Sequence, residues 1–433
     1  MSRKNPEKDP PKVTDVDRWI REHRKYKVIT PLFGGGEKTQ EADSVTFVRA
    51  TEVRGHLRFW WRAIRGGMFN GDLAEMKKRE DAIWGSAAEK GKPGPSDVSV
   101  QIFGWKSGDL VHEQPKDDKT LHISDPGADW GYVAFPLREE STKPAGAVRT
   151  GVEFDLEISY PETLKEDVEA ALWAWETFGG IGARTRRGFG ALQVAGSKKP
   201  SEKKWVRVEP PARSQIDDEY VKKHLIPDGK WPHGVPHLTK DSKIKRSRMQ
   251  GTVDEVWSHL IKTLKLFRQS RYEKEQGLSQ WHEANEIRRL SGKDMRTPPE
   301  GFPKVNHVEK FPRAKLGLPI QFNMLHDKED LPPIIELHGM KIGEDKYIDR
   351  LASPLILRPL ACSDGAVGLA VILEWETVES DEIYTPPGGL FLKGITEEPK
   401  EVKSNIEPDE AANIPPLMGG TNILQIFLAE YLK

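Results

Sequence analysis

The spacing of apolar residues along the first half of the chain predicts a regular series of strands and helices. Val152, Phe154, Leu156 and Ile158 alternate with polar residues, which is the period of a strand with one buried face. Residues 165–178 carry apolar residues at helical spacing, and their acidic residues lie in the first turn, where the helix dipole favours negative charge. The remaining patterns predict helices at 14–24 and 54–69, strands at 26–33, 98–105, 131–137 and 190–196, and extended chain or loop at 44–53.

These elements follow one another roughly in the order β-α-β-β-α-β, with insertions. This order is that of the ferredoxin-like arrangement, in which two helices pack on one face of an antiparallel sheet. A lysine-rich segment at 197–204 then predicts a linker to the second half of the chain.

The second half has a weaker pattern. Its clearest element is an amphipathic helix at 252–267, whose apolar residues fall on one stripe. The other predictions are strands at 316–325, 354–360 and 366–375, a terminal helix at 422–433, and mostly loop at the acidic, proline-punctuated residues 376–415. The pattern leaves open whether this half is a diverged copy of the first.

Composition sets limits on the class of protein. A chain of 433 residues predicts two or three domains. The formal net charge of −1 excludes a uniformly basic protein that coats nucleic acid, so a polyanion site would require local segregation of charge. The single cysteine, Cys362, excludes an internal disulfide and favours the reducing cytoplasm. No apolar run approaches the ~20 residues that span a bilayer, so we expect no membrane partner.

The loop FGGIGARTRRGFGAL (178–192) joins a predicted helix to a predicted strand. It is not a nucleotide-phosphate motif, because those motifs run from strand to loop to helix. No acidic residue occurs between Glu176 and Glu202, and arginine forks suit phosphate. The alternative is that the glycines make a tight connection and the arginines are solvated. Phe189 is predicted either to stack on bases or to face the core. The candidate RNA contacts of this loop are Gly182, Arg184, Arg186, Arg187, Gly188 and Phe189.

A second group of arginines lies on the helix RGHLRFWWRAIR (54–65). Its arginines fall within roughly 80° of one another around the helix axis, and Trp61, which borders them, is predicted to contact RNA by stacking on a base. No acidic residue occurs between Glu52 and Asp72, so no ion pair along the helix neutralises them. This favours an external polyanion, and the alternative is pairing with acidic residues elsewhere in the fold or in a partner.

No residue pattern in the chain predicts a metal site or a cofactor site. None of the twelve histidines stands in a metal-binding motif, and no GxSxG nucleophile motif occurs. His56, between two arginines, is predicted either to act as an acid or base on RNA or to have a structural or phosphate-contacting role. The basic run at 240–248 is predicted to be a solvated loop.

A ferredoxin-like domain with a glycine-rich, arginine-bearing loop before its last strand resembles the RAMP superfamily of CRISPR proteins. TPLFGGG (30–36) together with RGHLRFWWRA (54–63) is similar, more narrowly, to the subunit-one family of the Cmr, or type III-B, RNA-targeting effector complex. FPRAKLGLPIQF (311–322) and RLASPLILRPL (350–360) resemble motifs in the second half of that family.

The resemblance implies an α+β fold with two tandem ferredoxin-like (RRM-like) RAMP domains. It implies a flexible tail with a short helix at 1–25, an N-terminal domain at 26–197, and a C-terminal domain with a helical insertion at 198–433. It also implies a non-catalytic subunit that holds the 3′ portion of guide RNA, helps capture single-stranded target RNA, and contacts other Cmr subunits. Carried onto this sequence, the implied RNA contacts are Arg54, His56, Arg58, Arg62 and Arg65 of the first helix, Arg184, Arg186 and Arg187 of the loop, and Arg313, Lys315, Arg350 and Arg358 of the second half.

Two other functions stay open at this point. The first is a metal-independent endoribonuclease that processes guide RNA, with His56 as the best available base. The second is a purely structural scaffold whose arginines face acidic partner subunits. The sequence also leaves open which RNA strand or end is contacted, the stoichiometry, whether bases are read, and whether the C-terminal domain binds RNA or a partner.

Overall fold

The structure is a computed structural model of the chain. It describes residues 18–34, 46–86, 95–116, 118–139, 144–199, 201–273, 278–302, 307–324, 334–341, 343–344, 346–375, 386 and 388–432. Residues 1–17 of the predicted tail and Gly35 and Gly36 of the TPLFGGG motif lie outside the described residues.

The described residues of the first half form a five-stranded sheet with helices, and two two-stranded sheets that belong to an insertion. Its elements are β1 (Trp19–Val28), α1 (Ala50–Arg65), α2 (Leu73–Trp84), β2 (Ser99–Lys106), β3 (Asp109–Val111), β4 (Glu113–Lys116), β5 (Lys119–His122), α3 (Gly131–Ala134), β6 (Val148–Thr150), β7 (Glu153–Pro161), α4 (Lys165–Phe178), β8 (Leu192–Lys198) and β9 (Val206–Arg207). The chain order β1-α1-β2-β7-α4-β8 is the predicted one, and β3 to β6 with α3 are the insertion.

The five-stranded sheet has the order β2-β7-β1-β8-β9, and every neighbouring pair is antiparallel. Read as β8-β1-β7-β2, its first four strands have the 4-1-3-2 order of a ferredoxin-like sheet, so that prediction is confirmed for this half. Apolar residues of α1, α4 and β7 share one core, which includes Leu57, Trp175 and Phe154. The two helices therefore cover one face of the sheet.

The predicted helix at 14–24 is wrong from Trp19 onward, because β1 occupies this segment and lies at the centre of the sheet. Its many charged residues interrupt the alternation of apolar and polar positions that would predict a strand. They have partners across the sheet: Lys25 Nζ lies 2.7 Å from Asp155 Oδ1, and His23 Nε2 lies 2.6 Å from Glu157 Oε2. Opposite charges on facing strands stabilise such a pairing.

Two further predictions in the first half are corrected. The predicted strand at 131–137 is helix α3 followed by a turn of 3₁₀ helix, because the buried residues Val133, Ala134 and Leu137 have helical rather than alternating spacing. The first helix begins at Ala50, within the segment predicted as extended chain or loop.

The second half forms two smaller sheets. Its elements are α5 (Asp218–Lys222), β10 (Ile244–Arg246), α6 (Val253–Arg268), α7 (Glu283–Leu290), β11 (Ile320–Asn323), β12 (Ile334–Gly339), β13 (Leu355–Cys362), β14 (Gly365–Ile372), β15 (Leu390–Lys393), β16 (Lys400–Val402), α8 (Pro408–Ala411) and α9 (Ile423–Ile426). One antiparallel sheet has the order β10-β14-β13 and the other β11-β12-β15-β16. The predicted helix at 252–267 is confirmed as α6, and Thr252 caps it through a reciprocal pair of hydrogen bonds with Glu255.

Two predictions for the end of the chain are only partly right. Strands β15 and β16 and helix α8 lie within residues 376–415, for which the sequence predicts mostly loop, and residues 376–385 lie outside the described residues. The terminal helix is present as α9, and it continues as a turn of π-helix over Phe427–Tyr431. Within the described part of the chain, no helix is long and apolar enough to cross a membrane.

Candidate functional site

Backbone hydrogen bonds fix the conformation of the glycine-rich loop between α4 and β8. Ile181 N donates to Gly190 O at 2.9 Å. Gly190 has a φ of +63°, and a Cβ there would lie 1.9 Å from Ile181 O, so only glycine fits. Four further amides of the loop donate within the protein. The amide of Gly182 donates to Glu52 Oε1, and that of Ala183 donates to Phe33 O. The amide of Gly188 donates to Thr185 O, and that of Gly190 donates to Pro31 O. The amides of Gly182 and Gly188, two of the predicted RNA contacts, are therefore already occupied by acceptors within the protein.

The same loop packs against the second half of the chain. Trp257 Nε1 of α6 donates to Arg187 O at 2.8 Å. A Cβ on Gly188 would lie 2.4 Å from that nitrogen, so this glycine permits the close approach. Arg186 Nη1 donates to Ser353 O at 2.6 Å, and Arg187 Nη1 donates to Leu355 O at 2.7 Å. The alternative prediction, in which the glycines make a tight connection between a helix and a strand, is therefore the correct one for these glycines.

The two aromatic residues proposed as stacking platforms are buried. Phe189 is fully buried, and its ring packs edge-on against Trp257 with centroids 4.9 Å apart. Trp61 is 1% exposed, and its Nε1 donates to Asp167 Oδ1 at 2.8 Å. Phe189 therefore follows the alternative in which it faces the core, whereas the prediction that Trp61 stacks on a base is wrong, because its buried ring offers no face to a ligand.

The loop arginines form a cluster with an arginine of the second half. Arg350, which is exposed, lies close enough to Arg184 and Arg186 to act on their charges. Burial, and then repulsion from Arg350, lowers the pKa of Arg184 and of Arg186 to about 10. Burial lowers the pKa of Arg187 to about 9, with Arg268 as the largest repulsive neighbour. The guanidinium groups of Arg184, Arg186 and Arg187 remain charged at neutral pH, because these pKa values lie above 7.

We call Arg184, Arg186, Arg187 and Arg350 the loop cluster. Among the described residues, no carboxylate forms an ion pair with any of these four side chains. The positive charges are brought together from both halves of the chain and repel one another. An anion bound here would relieve that repulsion.

The arginines of the first helix have a different environment. Arg58 Nε lies 2.7 Å from Glu80 Oε1 and its Nη2 lies 3.1 Å from Asp81 Oδ1, while Arg62 Nη1 lies 2.5 Å from Glu80 Oε1. Both carboxylates are buried and belong to α2. The expectation that these arginines lack acidic partners is therefore wrong, and the alternative of pairing elsewhere in the fold holds for Arg58 and Arg62.

The other polar residues of α1 make varied contacts. Arg65 donates to the carbonyl of His224 at 2.7 Å, and burial lowers the pKa of its guanidinium. His56 Nε2 lies 3.8 Å from Glu52 Oε1, and its ring lies parallel to that of Trp175 with centroids 6.3 Å apart. The Nε of Arg54 is buried and has no hydrogen-bond partner among the described residues, and Arg54 lines a cavity of about 440 Å³ with Arg58 and Trp84.

Only one of the four candidates in the second half joins the loop cluster. Arg313 forms an ion pair with the buried Glu283 and also donates to Arg268 O at 2.7 Å. Lys315 donates to Asn405 Oδ1. Arg358 is fully buried and donates to Leu192 O at 2.6 Å, so it joins the two halves from inside and is corrected as an RNA contact. Arg350 is the member that lies at the surface beside the loop.

Two residues of this region are not predicted from the sequence. Arg268 ends α6 and acts on the charge of Arg187. Phe135 is 50% exposed, and Arg184 Cζ lies 4.6 Å from its ring centroid. The apolar run around Phe135 predicts a strand, and its helical spacing is the signal that could have shown this residue to point away from the core.

Within the described residues, one group has the spacing of metal ligands: Glu286, His307 and Glu309. Arg289 Nη2 lies 2.7 Å from Glu286 Oε1 and 2.5 Å from Glu309 Oε1. The guanidinium therefore already supplies the positive charge between these carboxylates.

Comparisons with known proteins bear on the first half most directly. The profile of the RAMP superfamily matches residues 25–193, which run from within β1 to within β8. The CRISPR system Cmr subunit Cmr1-2 of Pyrococcus furiosus is 31% identical over 179 residues, which are 39% of this chain and 91% of that protein. The chain belongs to the RAMP superfamily. Within it the chain resembles subunit one of the Cmr complex, so the resemblance stated from the sequence is confirmed.

Other relatives are more distant from this RAMP protein. The Cmr subunit Cmr1-1 of P. furiosus is 24% identical over 152 residues, which are 34% of this chain and 40% of that protein. The crystal structure of Cmr1 from P. furiosus in its apo form has 16% identity and a TM-score of 0.47, covering 87% of this chain and 94% of its own. A chain in the cryo-EM structure of the type III-B Cmr-beta complex bound to cognate target RNA has 13% identity and a TM-score of 0.43, covering 95% of this chain and all of its own.

Proposed function

We propose that this protein is a non-catalytic, RNA-binding subunit of a type III-B CRISPR (Cmr) effector complex in the cytoplasm. Membership of the RAMP superfamily and the relative named as a Cmr subunit support the assignment to such a complex. The observation that carries RNA binding is the loop cluster, in which four arginines meet without a carboxylate partner among the described residues. Ribose-phosphate supplies the missing negative charge.

The binding is to the backbone of the RNA. Arginine side chains contact phosphate oxygens regardless of base identity, which gives weak sequence preference and a strong dependence on salt. Within the complex, the protein contacts the 3′ end of guide RNA, helps capture single-stranded target RNA, and contacts the other Cmr subunits. This finer placement rests on the resemblance of residues 30–36 and 54–63 to the subunit-one family.

The proposal includes a tandem arrangement of two ferredoxin-like domains. In chain order, β10, α6, β13 and β14 are strand, helix, strand and strand. Their sheet order β10-β14-β13 is the 1-3-2 part of the order in the first sheet. Apolar residues of α6 pack on this sheet, including Leu260 and Leu264. These features support a second, incomplete copy of the fold, against which the glycine-rich loop of the first copy is packed.

The experiment measures the affinity of the full chain for single-stranded RNA at several salt concentrations. The variant is Arg184→Gln/Arg350→Gln, which removes two charges from the cluster and leaves the loop's anchors on Ser353 and Leu355 in place. Removing one arginine–phosphate interaction should flatten the slope of log K against log salt by about 0.7, so the double variant should flatten it by about 1.4.

The control is Arg21→Gln/Arg207→Gln, which removes the same net charge elsewhere. Both control arginines are exposed and already paired: Arg21 Nε lies 3.7 Å from Glu157 Oε1, and Arg207 Nε lies 2.6 Å from Glu209 Oε1. The proposal predicts an unchanged slope for the control. An unchanged slope for the cluster variant, or the same flattening in both variants, would refute the proposed site.

A further inference from the structure

Phe135 is an exposed aromatic ring on an anchored piece of backbone. It begins a turn of 3₁₀ helix whose neighbours Val133, Ala134 and Leu137 are buried in one cluster with Phe189 and others. The ring itself is 50% exposed, although a planar cation already covers part of it. A large apolar surface held in place in this way carries a low entropic cost of ordering when a planar ligand binds it.

The Phe135 ring contacts Arg184 of the loop cluster. Arg184 Cζ lies 4.6 Å from the Phe135 centroid and 5.9 Å from the Phe33 centroid, so two aromatic rings orient this guanidinium. Arg184 takes a left-handed backbone conformation with a φ of +58° and begins the turn that carries Arg186 and Arg187. One side chain thus joins the exposed ring to the unneutralised charges.

We propose that Phe135 stacks on an unpaired base of RNA while Arg184 and Arg350 contact the phosphates beside that base. This inference rests on the proposed function and names the form of RNA that the cluster takes: a single-stranded segment with at least one base turned toward the protein. Bases within a duplex are stacked on one another and cannot reach such a ring, whereas the bases of single strands can. Any of the four bases has a flat face, so the contact adds affinity without adding sequence specificity.

The test compares Phe135→Ala, Phe135→Leu and Phe135→Trp in the full chain, using a single-stranded RNA and the same RNA with abasic sites introduced one at a time. Phe135→Ala and Phe135→Leu should each bind the intact RNA about tenfold more weakly, and Phe135→Trp should bind it at least as well as the parent. The salt slope should not change, because no charge is removed. At one abasic position the parent should bind more weakly by the same factor, and the affinity of Phe135→Ala should fall no further.

The matched control is Phe302→Ala, which removes a second exposed phenylalanine that also contacts a ring, with its centroid 4.7 Å from that of Tyr272. It should leave RNA affinity unchanged. If Phe135→Ala binds like the parent while Arg184→Gln/Arg350→Gln binds more weakly, stacking is refuted and the proposed function stands. If neither variant binds more weakly, the proposed function fails as well. Melting temperatures equal to that of the parent exclude unfolding as the cause.

Discussion

The two groups of arginines in this protein look alike in sequence and differ in the fold. Arg58 and Arg62 of the first helix lie against the buried carboxylates of Glu80 and Asp81. In the loop cluster, Arg186 and Arg187 donate to backbone carbonyls, and none of the four arginines forms an ion pair with a described carboxylate. Their positive charges repel one another. A stretch without acidic residues therefore does not predict a free positive charge. It predicts only that the counterion, if present, comes from elsewhere in the chain.

This difference distinguishes arginines that stabilise the fold from arginines that are available to bind a ligand. Paired arginines at a buried carboxylate contribute to folding, and replacing one removes part of the positive charge that compensates the carboxylate. An exposed arginine that repels its neighbours, as Arg350 does, contributes little to folding and gains most from an external anion. The two groups should respond in opposite ways to the substitutions that follow.

The largest effect should come from the backbone that holds the loop cluster together. Gly190→Ala places a Cβ 1.9 Å from Ile181 O at a φ of +63°. Left-handed strain and the forced shift of the backbone together should lower the free energy of unfolding by about 4 kcal/mol. Urea denaturation measures this change, and the salt slope of RNA binding should flatten in any folded fraction.

Gly55→Ala in the first helix is the matched control for that change. A Cβ there meets nothing within 4 Å, and Gly55 is helical and exposed. This variant should be more stable than the parent by about 0.5–1 kcal/mol, because alanine loses less backbone entropy on folding. An equal fall in stability in both variants would contradict the assignment of the loop geometry.

A smaller effect should follow from breaking the helix group. Arg58→Met keeps an apolar stem but removes one of two cationic partners from each carboxylate, since Glu80 keeps Arg62 and Asp81 keeps Lys77. Because Arg58 itself is partly exposed, the free energy of unfolding should fall by about 2 kcal/mol, below the range for fully buried pairs. The measurements are urea denaturation and RNA affinity, and the expected affinity is unchanged. Weaker RNA binding at unchanged stability would return this helix to the binding site.

The smallest effect on stability should come from Arg350→Gln in the loop cluster. Removing this exposed charge relieves repulsion, so the pKa values of Arg184 and Arg186 should rise toward their usual range. The free energy of unfolding should stay within about 0.5 kcal/mol of the parent value, while RNA affinity falls. A fall in stability well above that limit would show that Arg350 has a structural partner and would weaken the contrast between the two groups.

The fold of the first half could be predicted from the sequence, except where charge or composition hides the period. β7, α4 and β8 follow their apolar spacing directly. The pattern predicts a strand only at the end of β1, because charged residues interrupt the alternation over residues 19–25, and it misses α3 because a short apolar run fits either period. In the second half, β15 and β16 are short strands within an acidic, proline-punctuated segment, so local propensity does not predict them.

The sequence by itself determined the order of elements in the first half of the chain, the clustering of arginines along the chain, and the membership of the RAMP superfamily. Tertiary structure alone decided which arginines are neutralised, because Glu80 and Asp81 reach Arg58 from 22 and 23 positions away, beyond any helical spacing. It also decided that Phe189 and Trp61 are buried and that Phe135 is exposed beside Arg184. The physical reason is that charge and burial act through space, whereas a periodic pattern records only neighbours on one element.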